Sequence, residues 1–357
     1  MSEEIITETA EIEKPKKEKK KKSKKQIILT TVVILIIVLL LAYLIFFAVV
    51  RATSSEYFDT AEKEFVIPGL GDGFVPQGIT FDEKSGFYLV CGYMSNDEAA
   101  RVYMIDPESN DFSYISLNDV KGNPDKSHIC GIATYGRFAF VTTGEKVNVF
   151  RLAEINNPDY DTATPIDSFD SDNIPAFCYV VNDTLYVGEF YRSKSYETPE
   201  SHHMQTGDGE YQMAIMTVFD ANELTSALSS KGAIDDVAPI AVYSIKSGAQ
   251  GMCILKGGQI CISSSWGLST SHITIYDDPM KSNLTSDSTY VTDSGKEIPL
   301  YYLDQTSVLK DFKLPAMAEE LVTDGDKVLV MNESASNKYF FGKLIGGKYC
   351  YSFIPEY

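Results

Sequence analysis

One local pattern recurs five times between Phe74 and Val330, and it constrains the fold more than any other feature of the chain. Each copy is a short apolar strand, a turn on Gly, Asn or Asp, and a second strand rich in Val, Tyr and Ile. The first runs from Phe74 to Phe81, turns through Lys84-Ser85-Gly86 and returns from Phe87 to Val90. The others turn at Tyr135-Gly136, Asn182-Asp183, Gly257-Gly258 and Asp324-Gly325-Asp326. Turn residues of this kind between β-branched and aromatic runs mark hairpins. Third strands follow three of the copies and end in Asp106, Asp220 and Asp277. A lone small sheet cannot bury both faces, whereas sheets stacked radially cover one another and leave only short edges. The pattern therefore predicts an all-β, five-bladed β-propeller over residues 64–357. Six blades follow instead if Ser288 to Asp304 makes a blade of its own. Glu64-Phe65-Val66-Ile67 is placed to close the ring by pairing with the last blade. Helix is expected only in short pieces such as Asn222 to Ser229.

The N-terminal part is of a different kind. Lys14 to Lys25 is dense in lysine, and Gln26 to Val50 carries no charged side chain. Twenty or so apolar residues suffice to cross about 30 Å of hydrocarbon as a helix, and lysines before the span hold that end in the cytoplasm. A cleaved signal has a shorter apolar core and small residues at its cleavage site, unlike Ala48-Val49-Val50-Arg51-Ala52. The reading is a disordered cytoplasmic tail over 1–25, a single transmembrane signal-anchor over 26–50 and a stalk over 51–63, with the propeller outside the cell membrane.

The first 25 residues carry nine lysines and six glutamates, which leaves 22 basic and 44 acidic side chains, a net of −22, on the rest. Such a field repels polyanions, so nucleic acid and anionic wall polymers are poor partners, while cationic ligands and metal ions are permitted. All six cysteines lie in this part, and most sit inside strand-like runs. A domain of this size can build an apolar core without the disulfides that small domains need, so buried free thiols are expected, with Cys253/Cys261 the candidate pair. Asn182, Asn283 and Asn332 begin N-x-S/T triplets, which carry meaning only in a eukaryotic secretory pathway.

Pro76-Gln77-Gly78-Ile79, Gln250-Gly251-Met252 and Glu319-Glu320-Leu321 with Asn332-Glu333-Ser334-Ala335 resemble an uncharacterised family of bacterial exported propellers, over most of Phe74 to Tyr357. They resemble more distantly the gluconolactonase, paraoxonase and strictosidine-synthase superfamily. The distant resemblance implies calcium in the central channel, held by carboxylates and asparagines. Here the matching innermost positions are Gln77, Cys130, Ala176, Gln250 and Glu319, a single acid among five.

Innermost strands begin, and second strands end, on one face of a propeller, so their flanking residues converge on one mouth. That places Gln77, Tyr93, His128, Glu189, Tyr191, Arg192, Gln250, Ser264, Trp266, Glu319, Asn332 and Glu333 as candidate ligand-binding residues. Glu319 and Glu320 are the candidate metal pair, with calcium as the ion; one should face the channel while the other packs between blades and needs a partner. His128 is suited to act as base or ligand, and Trp266 to stack on a ligand. His202 and His203 are adjacent on an extended segment, point to opposite sides and read as solvated. The polar loop from Ser193 to Tyr211 is long enough to be a lid or a mobile excursion. Ser263-Ser264-Ser265 lacks the G-x-S-x-G elbow of a nucleophilic serine.

Three function classes remain open: a membrane-anchored module binding a small ligand or a protein at the mouth, a calcium-dependent lactonase or esterase, and a structural protein of the envelope. The topology has a direct check. Protease added to intact cells should digest the chain beyond Arg51 and spare the first 25 residues, whereas a soluble exported form beginning near Ala52 would mark a cleaved signal.

Overall fold

A computed structural model describes residues 23–234, 237–282 and 286–357. Most of the basic tail lies outside them, as does Asn283. The chain divides into two units, 1–49 and 50–357. In the first, the described residues from 24 onward belong to a helix that runs over Lys24–Thr53 and is long and apolar enough to cross a membrane.

The second unit is a five-bladed β-propeller. Blade 1 is built from Phe74–Asp82, Phe87–Met94, Arg101–Ile105 and Phe112–Leu117, from the axis outwards. Blade 2 follows with Ile132–Tyr135, Phe138–Thr142, Val147–Arg151 and Asp167–Phe169. Blade 3 comprises Pro175–Val181, Thr184–Glu189, Ala214–Asp220 and Ala241–Ile245, and blade 4 Ala249–Ile254, Ile260–Ser264, Ser271–Tyr276 and Val308–Leu314. In blade 5, Ala318–Asp324, Lys327–Asn332 and Tyr349–Phe353 are joined by Glu62–Val66 from the start of the propeller. Phe65 pairs with Cys350 and Val66 with Tyr349, so the ring closes with the segment expected to close it.

Each strand near the axis is apolar on both sides because each side meets a neighbouring blade. In blade 1, Tyr88 and Val90 pack with Leu329 and Met331 of blade 5, while Leu89 and Cys91 pack with Ile132 and Ala139 of blade 2. This period-2 division explains why Phe87 to Cys91 is an unbroken apolar run. The stretch from Ser288 to Asp304 is not a sixth blade. Its strands Ser288–Val291 and Glu297–Tyr302 extend the outer edge of blade 3, where Leu300 pairs in parallel with Val242. An insertion of blade 4 is thus stapled onto blade 3, and Thr162–Ala163 of blade 2 is stapled onto blade 1 in the same way.

The segment read as a stalk is docked. Ser55–Thr60 is a short helix whose Tyr57 is buried edge-on against Phe353, 5.5 Å between rings, and Glu56 pairs with Lys310 at 2.7 Å. Because Glu62–Val66 is an outermost strand antiparallel to Tyr349–Phe353, the chain enters the propeller on the disc face opposite the mouth. The expected short helix is present as Ala221–Lys231, capped by the Asp220 carboxylate. All six cysteines are free, and Cys253 lies directly opposite Cys261.

The axis itself is occupied by Glu320. Innermost strands carry register shifts at Pro76/Gly78, Pro175/Phe177, Ala249/Gly251 and Ala318/Leu321. A bulge sets two residues against one and leaves the extra residue out of the ladder. The N–H groups of Ile79 and Ile132 donate to one oxygen of Glu320 at 2.9 and 3.1 Å, and that of Cys178 donates to the other at 3.0 Å. One carboxylate therefore joins blades 1, 2 and 3 to blade 5. Gly78 and Gly131 leave it room, since a Cβ on either would stand 2.7 and 2.9 Å from its oxygens. A buried donor left without an acceptor costs about 1–3 kcal/mol. Glu320→Ala strips three such donors at once, so it is expected to lower stability by on the order of 3 kcal/mol. For a domain of this size that is roughly 10 °C in melting temperature, and an unchanged melt would show that the axis does not depend on this carboxylate.

Candidate functional site

The two ends of the channel differ. Glu320 and Glu319 are buried and form a floor, and above them on the mouth side opens a cup of about 640 Å³. All five blades contribute to its lining. Four of the five matched innermost positions, Gln77, Cys130, Ala176 and Gln250, line the cup. The fifth, Glu319, sits just below and accepts from Gln250 Nε2 at 3.3 Å.

Two walls are chemically distinct. One is aromatic: Phe190 stacks on Trp266 at 6.1 Å, Tyr196 meets the indole edge-on at 6.3 Å, and the Arg192 guanidinium lies 4.7 Å over the Trp266 ring. The other is a polar cluster from blades 1, 2 and 5. Tyr93 and Tyr339 each donate a phenolic proton to Glu333 Oε1 at 2.9 Å. Lys338 Nζ donates to the Tyr93 oxygen at 2.6 Å, and the Tyr93 ring lies 4.3 Å from His128. His128 Nδ1 is 3.5 Å from Cys130 Sγ.

Burial, with Lys338 nearby, lowers the His128 pKa to about 4. Burial and the charges of Glu319, Glu320 and Glu333 push the Cys130 thiol up. The imidazole and thiol are therefore both neutral near pH 7, which is the opposite of the low-pKa thiolate that makes a cysteine nucleophilic. Burial also raises Glu333, although both phenols and Lys338 oppose the shift.

Of the twelve residues placed at the mouth from sequence, Gln77, Tyr93, His128, Gln250, Trp266 and Glu333 line the cup, and Arg192 covers Trp266 at its rim. The remaining five do other work. Glu189 is fully buried, both its oxygens 3.0 Å from His202 Nδ1, and it accepts from the Ile215 and Ile174 amides. Tyr191 is buried against His203. Asn332 donates to the carbonyls of Pro315 and Ala316, holding the turn before blade 5. Ser264 stands aside from the lining, where Ser265 takes its place. Glu319 belongs to the floor.

His202 is buried, contrary to the solvated reading, because the loop folds back to bring it onto Glu189. That loop contains a short 3₁₀ turn at Glu200–His202 and a hairpin of Met204–Gln205 with Tyr211–Gln212, and its Tyr196 and Glu197 line the cup. It is an integral part of the wall. Lys338 and Tyr339 were missed from sequence. They lie in the connection between the second and third strands of blade 5, a position that the face rule already assigns to the mouth.

Glu319 and Glu320 do not present a joint pair to a cation. The oxygens of Glu320 face N–H donors, where an ion needs lone pairs, and among the described residues no group of three or more His, Cys, Asp or Glu side chains is arranged to hold a metal ion.

No protein-family model matches the chain, and no curated protein matches it in sequence. Among solved structures it is similar to a PQQ-bound aldose sugar dehydrogenase from Streptomyces coelicolor, at 12% identity and a TM-score of 0.41, over 82% of this chain and 96% of that one. It is also similar to a glutaminyl cyclase from Myxococcus xanthus, at 10% identity and 0.40, over 82% and 94%. A carbohydrate-active enzyme of family AA12 from Trichoderma reesei matches at 13% and 0.41, over 76% of each chain. Likeness at this level carries no argument about what this chain does.

The floor gives a pH signature. Burial, then the charges of Glu333 and Glu320, raise Glu319 well above the ordinary carboxylate range. The folded chain thus keeps a proton that the unfolded chain releases, and the associated stability is full below the unfolded pKa and lost as pH rises through the folded one. Glu319→Gln removes this dependence. The variant should gain in melting temperature relative to the parent as pH rises from 4.5 to 8, and a constant or shrinking gap would contradict the assignment.

Proposed function

We propose that this chain is a membrane-anchored binding module, with the helix over Lys24–Thr53 as the anchor, the propeller outside the cell, and a small organic ligand held in the cup. The observation that carries this reading is the cup itself. It is closed below by the Glu319–Glu320 floor, drawn from all five blades, and mixes an aromatic wall with a few convergent polar groups. Pockets of about 300–1,000 Å³ with such a lining are the common form of small-molecule site. The neutral Cys130 and His128 support capture over thiolate chemistry. Calcium-dependent hydrolysis is disfavoured because Glu320 is committed to three amides.

The test uses the full chain and a thermal-shift screen of small organic molecules. Replacing the whole Ser193–Tyr211 loop is not a clean variant, since it would leave Glu189 buried without His202. Point variants are better. Trp266→Ala, Tyr196→Ala and His128→Ala should each weaken a hit about tenfold or more, as loss of an aromatic or hydrogen-bonding contact worth roughly 1.4 kcal/mol does. Full retention of binding in all three would move the site elsewhere on the disc.

A further inference from the structure

The cup's hydrogen-bond groups are unevenly spent. On the acceptor side, Glu333 already takes both phenols. Among the donors, the Gln250 amide nitrogen is committed to Ser265 and Glu319, and that of Gln77 to the Pro76 carbonyl. The Lys338 ammonium is less committed. Lys338 gives one proton to Tyr93, whose own proton goes to Glu333, and an ammonium has three to give. Its other described contacts are the faces of Tyr93 and Tyr339, at 4.7 and 5.2 Å, rather than a carboxylate. His128 Nδ1 faces Cys130 Sγ, and Nε2 has no protein partner among the described residues, so the tautomer protonated at Nε2 presents one more donor to the cup. Across the cup, Arg192 is also laid on an aromatic ring. In a part of the chain with 44 acidic and 22 basic side chains, two cations meet rings at one cavity, and the two acids that line it are already hydrogen-bonded, Glu333 by the phenols and Glu197 by the Lys194 amide.

We infer that the ligand is a small anion with an apolar body, its carboxylate or phosphate group seated at Lys338 and His128 and its body against Trp266, Phe190 and Tyr196. This rests on the reading of the cup as a binding site. The net charge of −22 does not oppose it. Exposed charges further than about 8 Å are largely screened at physiological ionic strength, and an anion small enough to be enclosed meets the cup's own charges first. A polyanion extends past the rim and is repelled.

Phenylacetate, phenyl phosphate and their neutral counterpart 2-phenylethanol, applied to the full chain in nanodiscs, test the inference by thermal shift and calorimetry. At least one acid should raise the melting temperature at millimolar concentration where the alcohol does not, and the tighter of the two acids identifies the charged group. Lys338→Gln should weaken acid binding at least tenfold and remove the preference over the alcohol, while Lys338→Arg retains it. Equal binding of the alcohol, acid binding unaffected by Lys338→Gln, or no response to either acid would each overturn the anion assignment. The cup reading fails separately, when hits from the wider screen are indifferent to Trp266, Tyr196 and His128.

Discussion

The structure depends on one buried carboxylate. Bulged innermost strands turn backbone N–H groups towards the axis, where five strands crowd and no ladder partner exists. Buried amides must be satisfied, and a column of water is one means. Here Glu320 satisfies three of them from a single side chain. The choice has consequences up and down the axis. The positions beside its oxygens are held to glycine in blades 1 and 2, and in blade 4 a Cβ on Gly251 would stand 2.3 Å from the Glu320 Cα. The channel is closed, so the mouth is a cup with a floor. Burial raises the carboxyl well above its ordinary range, and the three amides oppose that shift.

Much of this was legible in the sequence, for physical reasons. Blade number followed from the hairpins, because turn residues and two-sided apolar runs are local signals. The equivalence of Gln77, Cys130, Ala176, Gln250 and Glu319 held because all five precede the same axial position. The closing strand was legible from a spare apolar segment and an unpaired last blade. What failed was anything requiring a side chain's direction across a bulge or along a folded loop. Strict alternation gives no way to decide which of Glu319 and Glu320 reaches the axis once a register shift intervenes between Ala318 and Leu321. The burial of His202 depends on a loop that returns to Glu189 through 13 residues of irregular chain. Ser264 and Ser265 exchange roles because the strand ends between them.

The entry point of the chain matters to the cup. Glu62 begins an outermost strand on the face opposite the mouth, and Tyr57 is buried there against Phe353. The rim of the cup is therefore free of the polypeptide's own approach, and it is bordered by second-to-third strand connections. Those of blades 3 and 5 are the longest contributors, carrying Tyr196 and Glu197 on one side and Lys338 and Tyr339 on the other. Connections of this kind vary without disturbing the sheets that support them, so the specificity of the cup can change while the axis stays fixed.

Charge in the cup is set by what the protein leaves unpaired rather than by what it contains. Glu333 is the acid nearest the opening of the polar cluster, yet burial raises it and two phenols occupy one of its oxygens. His128 and Cys130 are held neutral by the same burial. Lys338 meets a phenol oxygen and two ring faces, which stabilise a cation without cancelling it. The Tyr93 phenol accepts a hydrogen bond from Lys338 and gives its own proton to Glu333, so the ammonium and the carboxyl are bridged rather than directly paired.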